Sequence, residues 1–133
     1  MKYLLDTCCV SDFIKGNELT LKKIKEMKPS DLSISSISVM EIHDGLMLNI
    51  ERARKIKTVI EDFLGAITVI PFNAQEAQYA GEIRAYLKNE AAPVGSYDIL
   101  IAGTAISHDL VLVTSNEKEF VRVPQLKLEN WRS

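Results

Sequence analysis

Short apolar runs alternate with longer stretches in which apolar residues recur at helical spacings. The apolar runs predict strands at residues 2–5, 32–35, 66–70, 110–113 and 126–128. The stretches between them predict helices at residues 11–15, 18–28, from 38 through 46, 50–64, 73–92 and 97–107, with one helical turn at 117–120. Strands that alternate with helices predict a three-layer α/β/α fold with a mostly parallel central sheet.

Local signals predict where several helices begin and end. Asn73 followed three residues later by Glu76 is typical of a capping box at a helix start. Ser38 followed by Glu41 fits the same pattern. Gly65 is predicted to end the helix before it.

Length and composition predict one domain over residues 1–133, with enough residues for a hydrophobic core. No apolar run approaches the roughly 18 residues that a membrane span needs. The first residues lack the pattern of a secretory signal, so we expect a cytoplasmic protein without a membrane partner. Cys8 and Cys9 are neighbours, which disfavours both a disulfide and a zinc site and predicts two small buried thiols.

Four acids follow predicted strands or open the next helix: Asp6, Glu41, Asp98 and Glu119. Each has a local explanation, namely a turn acid, a capping acid, a helix-dipole acid and a surface acid. In a parallel sheet, however, all four positions fall on one edge. Carboxylates gathered there repel one another unless a cation neutralises them, and carboxylates suit Mg²⁺ or Mn²⁺. Such a site can activate water for attack on a phosphodiester.

Four segments in this order resemble the successive motifs of PIN-domain proteins. They are Leu4-Leu5-Asp6-Thr7, Ser38-Val39-Met40-Glu41, Tyr97-Asp98-Ile99-Leu100-Ile101-Ala102 and Leu112-Val113-Thr114-Ser115-Asn116. The closing run from Glu119 to Pro124, with Trp131 near the end, is similar to the VapC toxin branch of that family.

The resemblance implies a role for each matching residue. It implies that Asp6, Glu41 and Asp98 bind Mg²⁺, for which Mn²⁺ substitutes, and that Glu119 is a fourth acid. It also implies that Thr114 supports this cluster. Two more side chains, Thr7 and Asn116, are candidate supporting groups at the same edge.

VapC proteins are ribonucleases of toxin–antitoxin pairs that act on structured RNA, in several cases tRNA. The resemblance therefore implies an RNA substrate, a cognate antitoxin that covers the active site, and a homodimer.

Two positions depart from the family pattern. Cys8 stands where the family commonly has Asn, and Asn116 stands where many PIN domains have Asp. We therefore expect one well-held ion and a second that is weak or arrives with the substrate. The departures leave open a module that holds RNA or protein without cutting it. Phosphoryl transfer through Asp6 is disfavoured, because that chemistry requires a second acid at the position that Cys8 occupies.

The net charge of −2 does not indicate a nucleic-acid binder, but basic residues cluster in two segments, 22–28 and 52–57. These clusters are either solvated helix faces or basic rims that hold phosphates beside the acids.

Overall fold

The computed structural model describes residues 1–132, and its centre is a five-stranded sheet in which every strand pairing is parallel. The strands are β1 (Tyr3–Leu5), β2 (Leu32–Ser35), β3 (Thr68–Ile70), β4 (Val111–Val113) and β5 (Leu128–Glu129). Their order across the sheet is β3-β2-β1-β4-β5. In the register of the central strands, Leu5 is opposite both Ile34 and Val113, so β1, β2 and β4 end at the same edge.

Seven α-helices lie within residues 1–132. They are α1 (Thr7–Lys15), α2 (Glu18–Glu26), α3 (Ser36–Leu48), α4 (Ile50–Ala66), α5 (Ala74–Asn89), α6 (Ser96–Ser107) and α7 (Glu117–Phe120). None of the helices in that range combines the length and the apolar character needed to cross a membrane.

Helices cover both faces of the sheet. Successive strand residues point to opposite sides, so each strand contributes side chains to both cores. Leu4 and Leu112 pack on one face in the core that contains α5 and α6. Leu5 and Val113 pack on the other face, in the core that contains residues of α1, α2 and α4. The predicted three-layer α/β/α architecture is confirmed, and the sheet is parallel throughout.

Helices α5 and α6 approach each other closely at Gly103. A Cβ atom at this position would lie 2.8 Å from the backbone nitrogen of Ala80. The missing side chain therefore lets the two backbones pack together.

Several predicted boundaries differ from the structure. Helix α1 begins at Thr7 rather than at residue 11, because Asp6 accepts the hydrogen bond that starts it. Gly65 does not end α4, which continues to Ala66, so β3 begins at Thr68 rather than at residue 66. The last strand is Leu128–Glu129 instead of residues 126–128.

The capping box at the start of α5 is confirmed. The Asn73 backbone N–H donates to Oε1 of Glu76 at 2.8 Å. The other carboxylate oxygen, Oε2, lies 2.7 Å from Nε2 of His108 at the end of α6. Glu76 therefore ties the two helices together, and His108 has a structural partner beyond the helix dipole.

Candidate active site

Asp6 follows β1 directly and caps α1. Its Oδ1 accepts the backbone N–H of Cys9 at 2.7 Å, and the side chain of Thr114 also hydrogen bonds to it. Only 3% of Asp6 is exposed. Burial raises the pKa of Asp6 to about 6; the hydrogen bonds from Thr114 and Cys9 oppose this rise, and the charges of Asp12 and Glu41 add to it.

Glu41 lies one turn into α3 and is held from the opposite side by α1. The Thr7 hydroxyl donates to Glu41 Oε1 at 2.8 Å and lies 2.9 Å from Oγ of the buried Ser38. The capping box expected between Ser38 and Glu41 is wrong. Helix α3 begins at Ser36, and the side chain of Ser35 caps it by accepting the N–H of Ile37 at 3.0 Å. Glu41 is therefore free of a capping role and faces Thr7.

Asp98 and Glu119 form a hydrogen-bonded carboxyl pair where the first turn of α6 meets α7. Burial raises the pKa of Asp98 to about 7, and the charge of Glu119 contributes to the rise. Burial also acts on Glu119, but hydrogen bonds from Gly95 N–H, Asn116 and Asp98 outweigh it and hold the pKa of Glu119 below its usual value. The two pKa values therefore shift in opposite directions, so Asp98 is the acid of this pair that protonates more readily.

Asn116 orients Glu119. Its Nδ2 donates to Oε2 of Glu119 at 2.6 Å, and its backbone N–H donates to Oγ1 of Thr114 at 2.9 Å. The sequence predicted Asn116 as a weak substitute for an acidic ligand. In the structure its amide is engaged with a neighbouring acid, so it links Thr114 to Glu119.

The four acids lie close enough for their charges to act on one another. The charges of Glu119, Asp6 and Glu41 all raise the pKa of Asp98, and the charge of Glu41 raises that of Asp6. Among residues 1–132, no group of three or more His, Cys, Asp or Glu side chains is arranged closely enough to hold a metal ion as it stands. The donor set is nevertheless made of oxygens with excess negative charge, which fits a hard divalent cation.

Two residues at the site carry no clear signal in the sequence. A Cβ atom on Gly95 would lie 3.3 Å from Glu119 Oε1 and 3.4 Å from Asp98 Oδ2, so this glycine leaves room for both carboxylates. Asp12 is 8% exposed and pairs with Arg132, whose Nε lies 3.3 Å from its Oδ2. Asp12 sits inside a helix and Arg132 at the far end of the chain, so nothing local pointed to either.

The two cysteines differ, which corrects the prediction of two buried thiols. Cys9 is buried, whereas Cys8 is exposed. Partial loss of solvent around its sulfur, together with the charges of Asp6 and Asp98, raises the pKa of the Cys8 thiol to about 11, so it remains protonated at neutral pH. Cys8 therefore brings no thiolate to the site.

Both basic segments contribute residues near this edge. Arg52 lines a groove between α1, α3 and α4 together with Thr7 and Glu41. Lys22 and Lys23 line a second groove with Glu129 and Asn130, directly after β5. The basic segments thus contribute side chains to surfaces at the carboxyl edge of the sheet.

Comparison with known proteins places these features in a family. A PIN-domain profile matches residues 3–126. The chain is 36% identical to the tRNA(fMet)-specific endonuclease VapC of Salmonella typhimurium, over 98% of both chains. It is 37% identical to ribonuclease VapC2 of Haemophilus influenzae, again over 98% of both. The toxin–antitoxin complex VapBC2 of Rickettsia felis, solved bound to a promoter DNA fragment, matches with a TM-score of 0.90 and 32% identity, over 98% of this chain and 99% of that one.

These three comparisons agree. The family profile covers most of the chain, the relatives align along nearly their whole length, and the solved structure has the same backbone fold. The chain belongs to the PIN-domain family, among its VapC ribonucleases.

Proposed function

We propose that this protein is a divalent-metal-dependent endoribonuclease, the toxin of a toxin–antitoxin pair, in which Asp6, Glu41, Asp98 and Glu119 hold Mg²⁺, with Mn²⁺ able to substitute. PIN-domain nucleases in general depend on a divalent metal. The observation that carries the proposal is the mutual repulsion of the acids. It contributes to the raised pKa values of Asp6 and Asp98 at the edge where open parallel sheets place their sites.

The bound ion would activate a water molecule and stabilise the oxygen that leaves the phosphodiester. Neighbouring groups hold the acidic side chains in place. Thr7 fixes Glu41, while Gly95 N–H and Asn116 fix Glu119. Burial and the charge of Glu119 raise the pKa of Asp98 to about 7. Thr114, 1% exposed, hydrogen bonds to Asp6 and so limits how far its pKa rises.

We further propose a structured RNA, in particular a tRNA, as the substrate. The relative from Salmonella typhimurium is named for tRNA(fMet), which supports a tRNA for this chain. The exposed bases and folded shape of tRNA also suit recognition of RNA by shape and by unstacked bases. We expect the protein to act in the cytoplasm as a homodimer of one-domain chains.

A cognate antitoxin is the second proposed partner. Solved complexes of relatives from Rickettsia felis and Salmonella typhimurium contain the toxin with its antitoxin. The apolar groove beside Glu41, with Ile42, Leu46 and Ile56 in its walls, suits a segment of such a partner.

The deciding experiment compares Asp98→Asn with wild type in a cleavage assay on total tRNA, with Mg²⁺, with Mn²⁺ and with a chelator. We expect cleavage to fall on the order of 100-fold or more, because the ion contributes several kcal/mol to the transition state. The matched control is Asp62→Asn, which removes an exposed acid from α4. Undiminished cleavage by folded Asp98→Asn would disprove the assignment.

The alternative, a module that holds RNA or protein without cutting it, rests on Cys8 and Asn116 in place of the usual polar residues. A titration with Mn²⁺ followed by electron paramagnetic resonance separates the two functions. A nuclease binds the ion at millimolar concentration or below, and Asp98→Asn weakens that binding. The absence of Mn²⁺ binding to wild type would favour the binding module.

A further inference from the structure

A surface groove runs between α5 and the start of α6. It consists of two adjoining cavities that share three lining residues, Arg84, Ser96 and Ile99. One cavity extends along the last turn of α5 to Lys88. The other extends to Tyr97. Ser96 and Tyr97, which line the groove, directly precede Asp98 in α6, so the groove lies beside this acid.

The charged residues that line this groove are all basic. Arg84 and Lys88 are its charged lining residues, and no acid lines either cavity. They lie four residues apart on α5, so both side chains project from one face of the helix. Within residues 1–132 neither of them takes part in an ion pair. Two unneutralised cations beside a cluster of acids suit a polyanion that must reach those acids.

Tyr97 lines the groove and directly precedes Asp98 in α6. It is 51% exposed, although the following residues of α6 are among the most buried of the chain. An exposed aromatic ring beside cations is the arrangement with which proteins bind single-stranded nucleic acid, the ring stacking on a base and the cations contacting phosphates.

We propose that this groove holds the single-stranded part of the RNA substrate next to the cleavage position, with a base stacked on Tyr97 and phosphates on Arg84 and Lys88. This inference rests on the proposed ribonuclease function and specifies how that function selects its RNA. A ring accepts any base, so the groove favours an unpaired segment rather than a particular sequence. A duplex keeps its bases stacked and offers none to Tyr97.

The experiment measures binding of a fluorescent single-stranded RNA to the full chain that carries Asp98→Asn, so that no cleavage occurs. Tyr97→Ala is expected to weaken binding about tenfold, and Tyr97→Phe to leave it within about twofold, because the stacking surface remains. The control for Tyr97→Ala is Tyr86→Ala, which removes an exposed ring of α5 outside the groove and should not change affinity.

Salt dependence tests the cations separately. Arg84→Gln should reduce the slope of log affinity against log salt concentration by about 0.7, which is the counterion release of one phosphate contact on a single strand. Lys127→Gln is the control, since Lys127 pairs with Asp109 just before β5, at the amino edge of the sheet.

The outcomes distinguish the two proposals. If wild type cleaves RNA while Tyr97→Ala and Arg84→Gln keep wild-type affinity and salt slope, the groove does not hold RNA and only this inference fails. If these variants change the molecular mass in solution, measured by light scattering, the groove is an interface between copies of the chain, which also overturns the inference. If wild type cleaves no RNA at all, the proposed function itself fails.

Discussion

The hydroxyl of Thr7 donates a hydrogen bond of 2.8 Å to Oε1 of Glu41, across 34 residues of sequence. This bond joins the first residue of α1 to the middle of α3, and it orients an acid that is only half-buried. Because Thr7 follows Asp6 directly, the turn that presents one acid also holds a second.

Replacing Thr7 by valine removes this hydroxyl while keeping the side-chain shape. We expect kcat/KM for RNA cleavage to fall about tenfold, because a hydrogen bond to a charged group contributes about 1.5–3 kcal/mol. Steady-state cleavage at saturating Mg²⁺ measures the change. Thr7→Ser keeps the hydroxyl and should retain most of the activity, so equal losses in both variants would show that packing rather than the hydrogen bond matters.

Replacing Gly95 by alanine should leave the fold intact but disturb the acidic site. Its backbone angles, φ −56° and ψ 146°, are open to any residue, yet a Cβ atom would crowd Glu119 and Asp98. Gly95→Ala should therefore change the free energy of unfolding by about 1 kcal/mol or less while weakening Mn²⁺ binding several-fold.

The matched control for that variant is Gly81→Ala in α5, where a Cβ atom has open space. It should stabilise the protein by up to about 1 kcal/mol through helix propensity and leave Mn²⁺ affinity as it was. Wild-type Mn²⁺ affinity in Gly95→Ala would refute the spatial role given to this glycine.

Metal-free protein should lose stability as the pH rises from about 4 to about 7. Asp98 has a pKa of about 7 when folded against an ordinary value of 3.8, so in this range the folded state binds more protons than the unfolded state. Asp6, with a pKa of about 6, acts in the same direction. Thermal melts in a chelator at successive pH values measure the effect.

Asp98→Asn should flatten that pH dependence, since the amide does not titrate, whereas the control Asp62→Asn should follow wild type. Added Mn²⁺ should restore the melting temperature most strongly above pH 7, where the acids are ionised and free to bind it. If the melting temperature of wild type rises between pH 4 and 7 while that of Asp98→Asn stays constant, this result would contradict the raised pKa of Asp98.

The Glu76–His108 contact should stabilise the fold without a part in cleavage. Glu76 is 4% exposed and bonds to both Asn73 N–H and His108, so Glu76→Ala should lower the free energy of unfolding by about 1–3 kcal/mol. Its folded pKa is lowered despite burial, because these hydrogen bonds favour the ionised form.

The contribution of Glu76 is therefore present above its ordinary pKa of 4.5 and is lost as the pH falls through the lower folded value. Denaturation at pH 7 and at pH 3.5, with Glu82→Ala on the exposed face of α5 as control, tests this. A loss of RNA cleavage that exceeds the loss of folded protein would instead connect this pair to the active site.

The sequence by itself determined those features that depend on neighbours along the chain. Alternating apolar runs and amphipathic stretches predicted the layers and the parallel sheet, and Asn73 with Glu76 predicted a helix start that the structure confirms. Acids after strands predicted that these side chains would lie near one another, because parallel strands end together. Local signals failed where a stronger partner competed: Ser35 rather than Ser38 caps α3, and α4 continues through Gly65.

Only the tertiary structure decided which distant groups meet at that edge. The sequence placed Glu41 and Glu119 at this edge but named neither the hydroxyl of Thr7 that donates to Glu41 nor the N–H of Gly95, 24 residues away, that donates to Glu119. Asp12 acquired its partner Arg132 from the end of the chain. Such pairs arise when the sheet register and the packing of helices on its two faces place remote segments side by side. No periodicity or local motif encodes that placement, because the contacts depend on separations of tens of residues.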